Sequence, residues 1–126
     1  EFIKVQDSAA GVAVSPHEGK LAIASNSEIW LYFLDNQEEQ PAKSKFEHVF
    51  LTRFSEPVKN LTWLTDHYIL FTTGDTIKIS EIDERDALNV VDMAQFPEPE
   101  LFWNKSEKIL YVLSRGVLYS SEKLLK

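Results

Sequence analysis

The sequence predicts an all-β protein made of three similar four-stranded units, and three observations carry that reading. β-Branched and aromatic residues recur in short runs separated by turn residues, which is how strands and hairpins are written in sequence. Helical periodicity is weak throughout, and the best helix candidate, "DERDALNVVDM", leads straight into β-branched residues and reads as a loop entering a strand. Finally, three segments align: "GVAVSPHEGKLAIASNSEIWLYFL" from Gly11, "NLTWLTDHYILFTTGDTIKISEI" from Asn60 and "ELFWNKSEKILYVLSRGVLYSSE" from Glu100.

Taken in order, "EFIKV" at the N-terminus is the first expected strand. In the first copy, strands at 11–14, 20–25 and 28–34 follow, joined by "SPHEG" and "NS". "HVFLTRF" at 48–54 precedes the second copy, whose turns are "TDH" and "GD". "NVVDMAQF" at 89–96 precedes the third, whose turns are "NKSE" and "RG". Gly and Asn in these turns supply the positive φ that tight hairpins need. Leu21, Ile69 and Ile109 align, as do Ile29, Ile77 and Val117, with steps of 48 and 40 residues; Val14, Trp63 and Trp103 match as well.

A period of roughly 40–45 residues with four strands per unit is the signature of a β-propeller blade. Numbering the strands of one blade A to D, the chain reads D-A-B-C three times, over about 2–34, 48–82 and 89–120 of a single 1–126 domain. It starts on the strand that normally ends a unit, so residues 2–5 are placed to complete a blade formed by 101–120. Three blades are fewer than the four to eight of ordinary propellers. The chain is therefore expected to be half of a six-bladed ring closed by a second copy, or a fragment of a longer propeller. Whether the N-terminal strand pairs with its own third blade or with a partner's stays open.

The stretch "SPHEGKLAIASNSEIWLYFLDN" resembles the WD-like repeats of TolB-type bacterial propellers, and "PVKNLTWLTDHYILFTTGDTIKISEIDERDALNVVDM" is similar to the propeller segment of bacterial envelope proteins that carry PEGA domains. The resemblance implies an envelope or extracytoplasmic setting and a scaffold role.

Composition excludes several other roles. The chain has 126 residues, a net charge of −7 and 13 basic residues among 20 acidic ones, an unfavourable balance for displacing counterions from nucleic acid. Cysteine is absent, which removes disulfides, thiol nucleophiles and thiolate zinc sites. The longest apolar run, "IWLYFL" at 29–34, is far short of the ~20 residues of a membrane-spanning helix. The N-terminus has no basic and long apolar regions of a signal peptide. Glu1-Phe2 is also what a cloning junction leaves, and on that reading the natural chain extends further.

A few individual residues are candidates for chemistry. Asp66 and His67 are adjacent, but a turn already explains the aspartate through its hydrogen bonds to backbone. His17 and His67 fall in corresponding A-to-B turns and His48 opens an outer strand, so the three lie on different units and match no metal-ligand spacing. Glu38-Glu39 and Asp83-Glu84-Arg85-Asp86 fall in C-to-D loops without the spacing of a calcium loop. No nucleophile elbow and no glycine-rich phosphate loop occur. Trp63 and Trp103 are expected to pack between units, and Trp30 and Tyr32, on a strand apolar on both faces, to lie buried between two neighbours. Two sequons, at Asn60 and Asn104, are as many as chance readily provides. The polar loop 35–48 is the first place to look for a partner contact.

No residue is thus assigned a catalytic, cofactor-binding or metal role, no cofactor is expected, and the binding residues stay unassigned. The expected function is a non-catalytic binding or scaffold module that contacts protein or itself. Two alternatives are the propeller portion of a larger prolyl oligopeptidase-like hydrolase and a glycan- or small-ligand-binding ring.

Overall fold

The computed structural model describes residues 1–85 and 87–124, and every regular element among them is a strand. Sheet I contains β1 (Gly11–Val14), β2 (Lys20–Ser25), β3 (Glu28–Phe33) and β4 (His48–Arg53) in that spatial order. Sheet II repeats the order with β5 (Val58–Trp63), β6 (Tyr68–Thr73), β7 (Thr76–Glu81) and β8 (Val90–Gln95). Sheet III has three strands, β9 (Glu100–Asn104), β10 (Ile109–Ser114) and β11 (Val117–Lys123). All pairings are antiparallel, and none of the three sheets closes on itself.

The central hairpin of each sheet turns in two residues, Asn26-Ser27, Gly74-Asp75 and Arg115-Gly116. The first residue of each is left-handed, with φ of 58°, 57° and 46°. A tight turn that matches the twist of its strands demands this conformation, and Asn and Gly adopt it at low cost. Arg115 has neither advantage. At Gly74 a Cβ would also stand 2.4 Å from a Glu56 carboxylate oxygen.

Strand alternation then decides what each face carries. Ala22, Ile29, Leu31, Phe33, Val49 and Leu51 of sheet I meet Val58, Trp63, Ile69 and Phe71 of sheet II in one continuous core. Ala22 and Ala24 leave room on sheet I for the larger side chains opposite. Leu64, Leu70 and Ile77 form a second core with Leu110 and Val112 of sheet III. Sheet II is the middle layer and is covered on both faces, which is why "YILFTT" is apolar without alternation.

Two features depart from the sequence expectation. Residues 2–5 form no strand and do not complete sheet III, whose β11 is left as an unpaired edge among the described residues. Pairing of Leu110 with Trp103, as Ile69 pairs with Trp63 and Leu21 with Val14, makes Leu110 rather than Ile109 the equivalent of Leu21 and Ile69. The third copy has one extra residue in its first turn, and a slip of one position exchanges the two faces of a strand. The strands at 48–53 and 90–95 pair with the sheets they follow, so the unit ranges read from sequence describe chain order rather than sheet membership.

The two turn positions make opposite predictions for urea denaturation. Gly74→Ala is expected to destabilise the fold by about 1–2 kcal/mol, because a side chain enters a left-handed turn. Arg115→Gly is expected to leave stability unchanged or raise it by up to about 1 kcal/mol. Equal effects at the two positions would show that the turns do not set the hairpins.

Candidate functional site

The histidines separate cleanly in space. The first turn of sheet I and that of sheet II lie side by side, so Asp66 pairs with His17 across the sheets and not with its neighbour His67. The His17 backbone N–H donates to Asp66 Oδ1 at 3.0 Å, and the imidazole Nδ1 contacts Oδ2. Partial burial raises the Asp66 pKa, but the His17 hydrogen bonds, with the charges of His17 and Lys20, outweigh it and hold the carboxyl below its ordinary range. His67 is exposed and its backbone N–H bonds the Thr65 hydroxyl, as a turn residue does. The Asp66–His17 pair is a tie between sheets.

The carboxylates lie in the loops between third and fourth strands, as expected. A cavity of about 210 Å³ opens between them, lined by Phe33, Glu39, His67, Glu81, Asp83 and Glu84 among others. Two of its carboxylates are engaged in ion pairs. Lys43 forms an ion pair with Glu84, and hydrogen bonds from Arg85 hold the Asp83 carboxyl down to about 2. Asp86 of this cluster lies outside the described residues. No group of three or more His, Asp or Glu side chains suited to a metal gathers among the described residues. Loop 35–47, the expected place for a partner, is folded on itself: Gln37 and Lys43 exchange backbone hydrogen bonds at 2.8 and 2.9 Å, and Lys43 anchors it to sheet II.

The sequons have structural work. Asn60, left-handed at φ 57°, donates its amide to the Thr72 hydroxyl and to the Pro99 carbonyl at 3.0 and 2.9 Å, which ties sheet II to the segment entering sheet III. The Asn104 side-chain Oδ1 accepts from the Ser106 hydroxyl and from the Glu107 backbone N–H, closing the first turn of sheet III.

Trp63 is buried between sheets I and II, and its indole N–H donates to the Ala13 carbonyl at 2.9 Å. Trp103 packs likewise against the second core, with its indole nitrogen buried and unpartnered. Trp30 and Tyr32 correct the expectation: they are half-buried on the outer face of sheet I, with no sheet covering them. There they anchor two rows that run across all four strands. One is Val12, Ile23, Trp30 and Phe50; the other is Val14, Leu21, Tyr32 and His48. Trp30 meets Phe50 edge-on at 5.4 Å, and the Tyr32 ring lies 4.6 Å from His48 and 6.0 Å from Phe46. Such pairings fix aromatic side chains at low entropic cost on an open surface.

At the other end of the stack, the outer face of sheet III carries the rows Phe102–Tyr111–Ser120 and Glu100–Leu113–Leu118. Val12 and Leu118 are each 62% exposed and Phe102 is 52% exposed. These two end faces, with their exposed apolar side chains, form the candidate site. No helix among the described residues is long and apolar enough to cross a membrane.

The Asp66 tie gives a pH signature. A carboxyl held below its ordinary pKa stabilises the fold fully above about pH 4 and loses that contribution as pH falls through its lowered value. Acid unfolding below about pH 4 is expected to be steeper for the parent than for Asp66→Asn. Parallel profiles would remove this pair from the stability of the fold.

No protein-family model matches this chain, and no curated protein matches it, so the geometry of the two end faces carries the functional reading.

Proposed function

We propose that this chain is a non-catalytic assembly module, an arc of a β-propeller whose ends dock on protein. The observation that carries the reading is that both ends of the stack offer broad apolar sheet faces, with Val12, Phe50, Phe102 and Leu118 exposed at their centres and rims. Each large side chain removed from water on such a face contributes about 1.5–3 kcal/mol. A few of them supply a specific interface.

Two further features support a propeller arc over a flat sandwich. The first strands of successive sheets lie against one another, β1 on β5 and β5 on β9, as strands do around an axis from which sheets radiate. Chain order and sheet order also advance together, with a short link from the outer strand of one sheet to the inner strand of the next. A scaffold of this kind acts through shape: rigid sheets hold loops and faces at fixed angles.

Solution mass tests the proposal directly. By light scattering, the chain of 14.5 kDa is expected to run as a species of about 29 kDa, two copies completing six sheets. A stable monomer at micromolar concentration would refute assembly.

A further inference from the structure

The two open faces differ in kind, and that difference identifies what covers them. Aligning the sheets by their central hairpins makes Leu21, Ile69 and Leu110 equivalent, and likewise Ala22, Leu70 and Tyr111. Ile69 faces the sheet before it, and so does Leu110. Ala22 faces the sheet after it, and so does Leu70. Every internal contact therefore joins a backward face to a forward face. The stack is left with one unpaired face of each type, the Leu21 face of sheet I and the Tyr111 face of sheet III. They are the two halves of the contact the molecule already makes twice.

The N-terminal segment follows the same rule. Four residues separate β4 from β5, and four separate β8 from β9. Counting four back from Gly11 reaches Gln6, and a six-residue strand of the length of β4 and β8 then occupies residues 1–6. β4 and β8 each pair with the third strand of the sheet they close, with a bulge at the same place, after Ile29 and after Ile77. The same register on β11 sets Gln6 opposite Val117 and Val5 opposite Leu118. In this structure the segment instead rests on sheet I: His48 Nε2 meets the Val5 carbonyl at 3.1 Å, the Ser25 hydroxyl donates to the Ser8 carbonyl at 2.8 Å, and the Ala10 N–H donates to the Ala24 carbonyl at 2.7 Å. Phe2 and Ile3 are fully or largely exposed, and the Gln6 side-chain oxygen is buried without a partner. That is an unfavourable resting place. Its own β11 lies at the far end of the stack, beyond sheet II.

We propose that two copies pair head to tail: the Val12–Ile23–Trp30–Phe50 face of each docks on the Phe102–Tyr111–Leu118 face of the other, and residues 1–6 add to the partner's β11 as its fourth strand. The proposal rests on the assembly reading above and specifies its occupant and geometry. Two such contacts related by a two-fold axis close the pair, and no open face remains. A contact between two identical faces would use a pairing found nowhere in the molecule.

The test uses one charged substitution on each face, Phe50→Glu and Phe102→Glu, both at exposed positions. Each variant alone spoils both contacts of the pair and is expected at 14.5 kDa. An equimolar mixture retains one intact contact and is expected to recover a species of about 29 kDa, twice that mass. If one variant remains a dimer alone, or if the mixture stays monomeric while the parent dimerises, the head-to-tail pairing is overturned and assembly itself survives. A parent that is monomeric sinks the assembly reading instead. Should a charged variant fail to fold, Val5→Cys combined with Leu118→Cys reads the same contact in a chain that has no other cysteine. Mild oxidation is expected to give a covalent dimer on a non-reducing gel, and a product that stays monomeric overturns strand donation.

Discussion

The structure depends on contact between sheet faces, because every sheet in it is apolar on both sides. A sheet with one solvated face is complete after a single packing partner. Here Ile69 and Phe71 bury on one side of β6 while Leu70 buries on the other, so the middle sheet needs two neighbours and has them. Sheet I and sheet III are built to the same plan and have one neighbour each. Trp30, Tyr32 and Phe50 on one end and Phe102, Tyr111 and Leu118 on the other are the consequence. They are core positions of the pattern that happen to be terminal.

Polar bonds give these contacts their direction. The Trp63 indole reaches back to the Ala13 carbonyl, the Val58 backbone N–H to the Asn26 carbonyl, and the Asn60 amide forward to Pro99. Each satisfies a polar group where one sheet meets the next and restrains how far the two slide on each other. The His17–Asp66 pair does the same between neighbouring first turns. Hydrophobic burial holds the sheets together, and these bonds select one arrangement among the many that burial alone would accept.

The strands were legible in the sequence because β-branched runs and turn residues are local signals. The expected strands at 20–25 and 28–34 correspond to β2 and β3 almost residue for residue, and Trp63 lies between sheets, as expected of a large aromatic where twisted sheets face each other. Long-range placement was not legible. Trp30 and Tyr32 read as buried on both sides because a both-faces-apolar strand looks the same whether its neighbour is present or absent. Asp66 drew attention to His67, since sequence adjacency is visible and the approach of two turns from different sheets is not. Ile109 was placed one position from the equivalent Leu110 because the extra turn residue precedes it and both are apolar. The polarity of loop 35–47 suggested an accessible arm, although Lys43 pins it to Glu84. Residues 2–5, read from spacing as a strand, form none, and the open edge of β11 lies at the far end of the stack from them.

Four features of the isolated chain bear on the proposed pairing. The unpaired edge of β11 exposes backbone donors and acceptors that proteins ordinarily cover. The segment 1–6 exposes Phe2 and Ile3 and leaves the Gln6 oxygen buried without a partner. Two apolar faces stand open at opposite ends of the stack. Treated separately, these are four unrelated costs, and each would have its own local remedy, such as a charged edge or a polar outer row. Val117, Leu118 and Tyr119 lie exposed along the first half of the uncovered edge strand, and Ser120, Ser121, Glu122 and Lys123 make up the second. The proposed head-to-tail second copy would address all four together, because it joins a backward face to a forward face as the I–II and II–III contacts do. That economy favours this assembly over an unrelated partner, which would have to imitate both faces of a twisted sheet and accept a strand in the correct register.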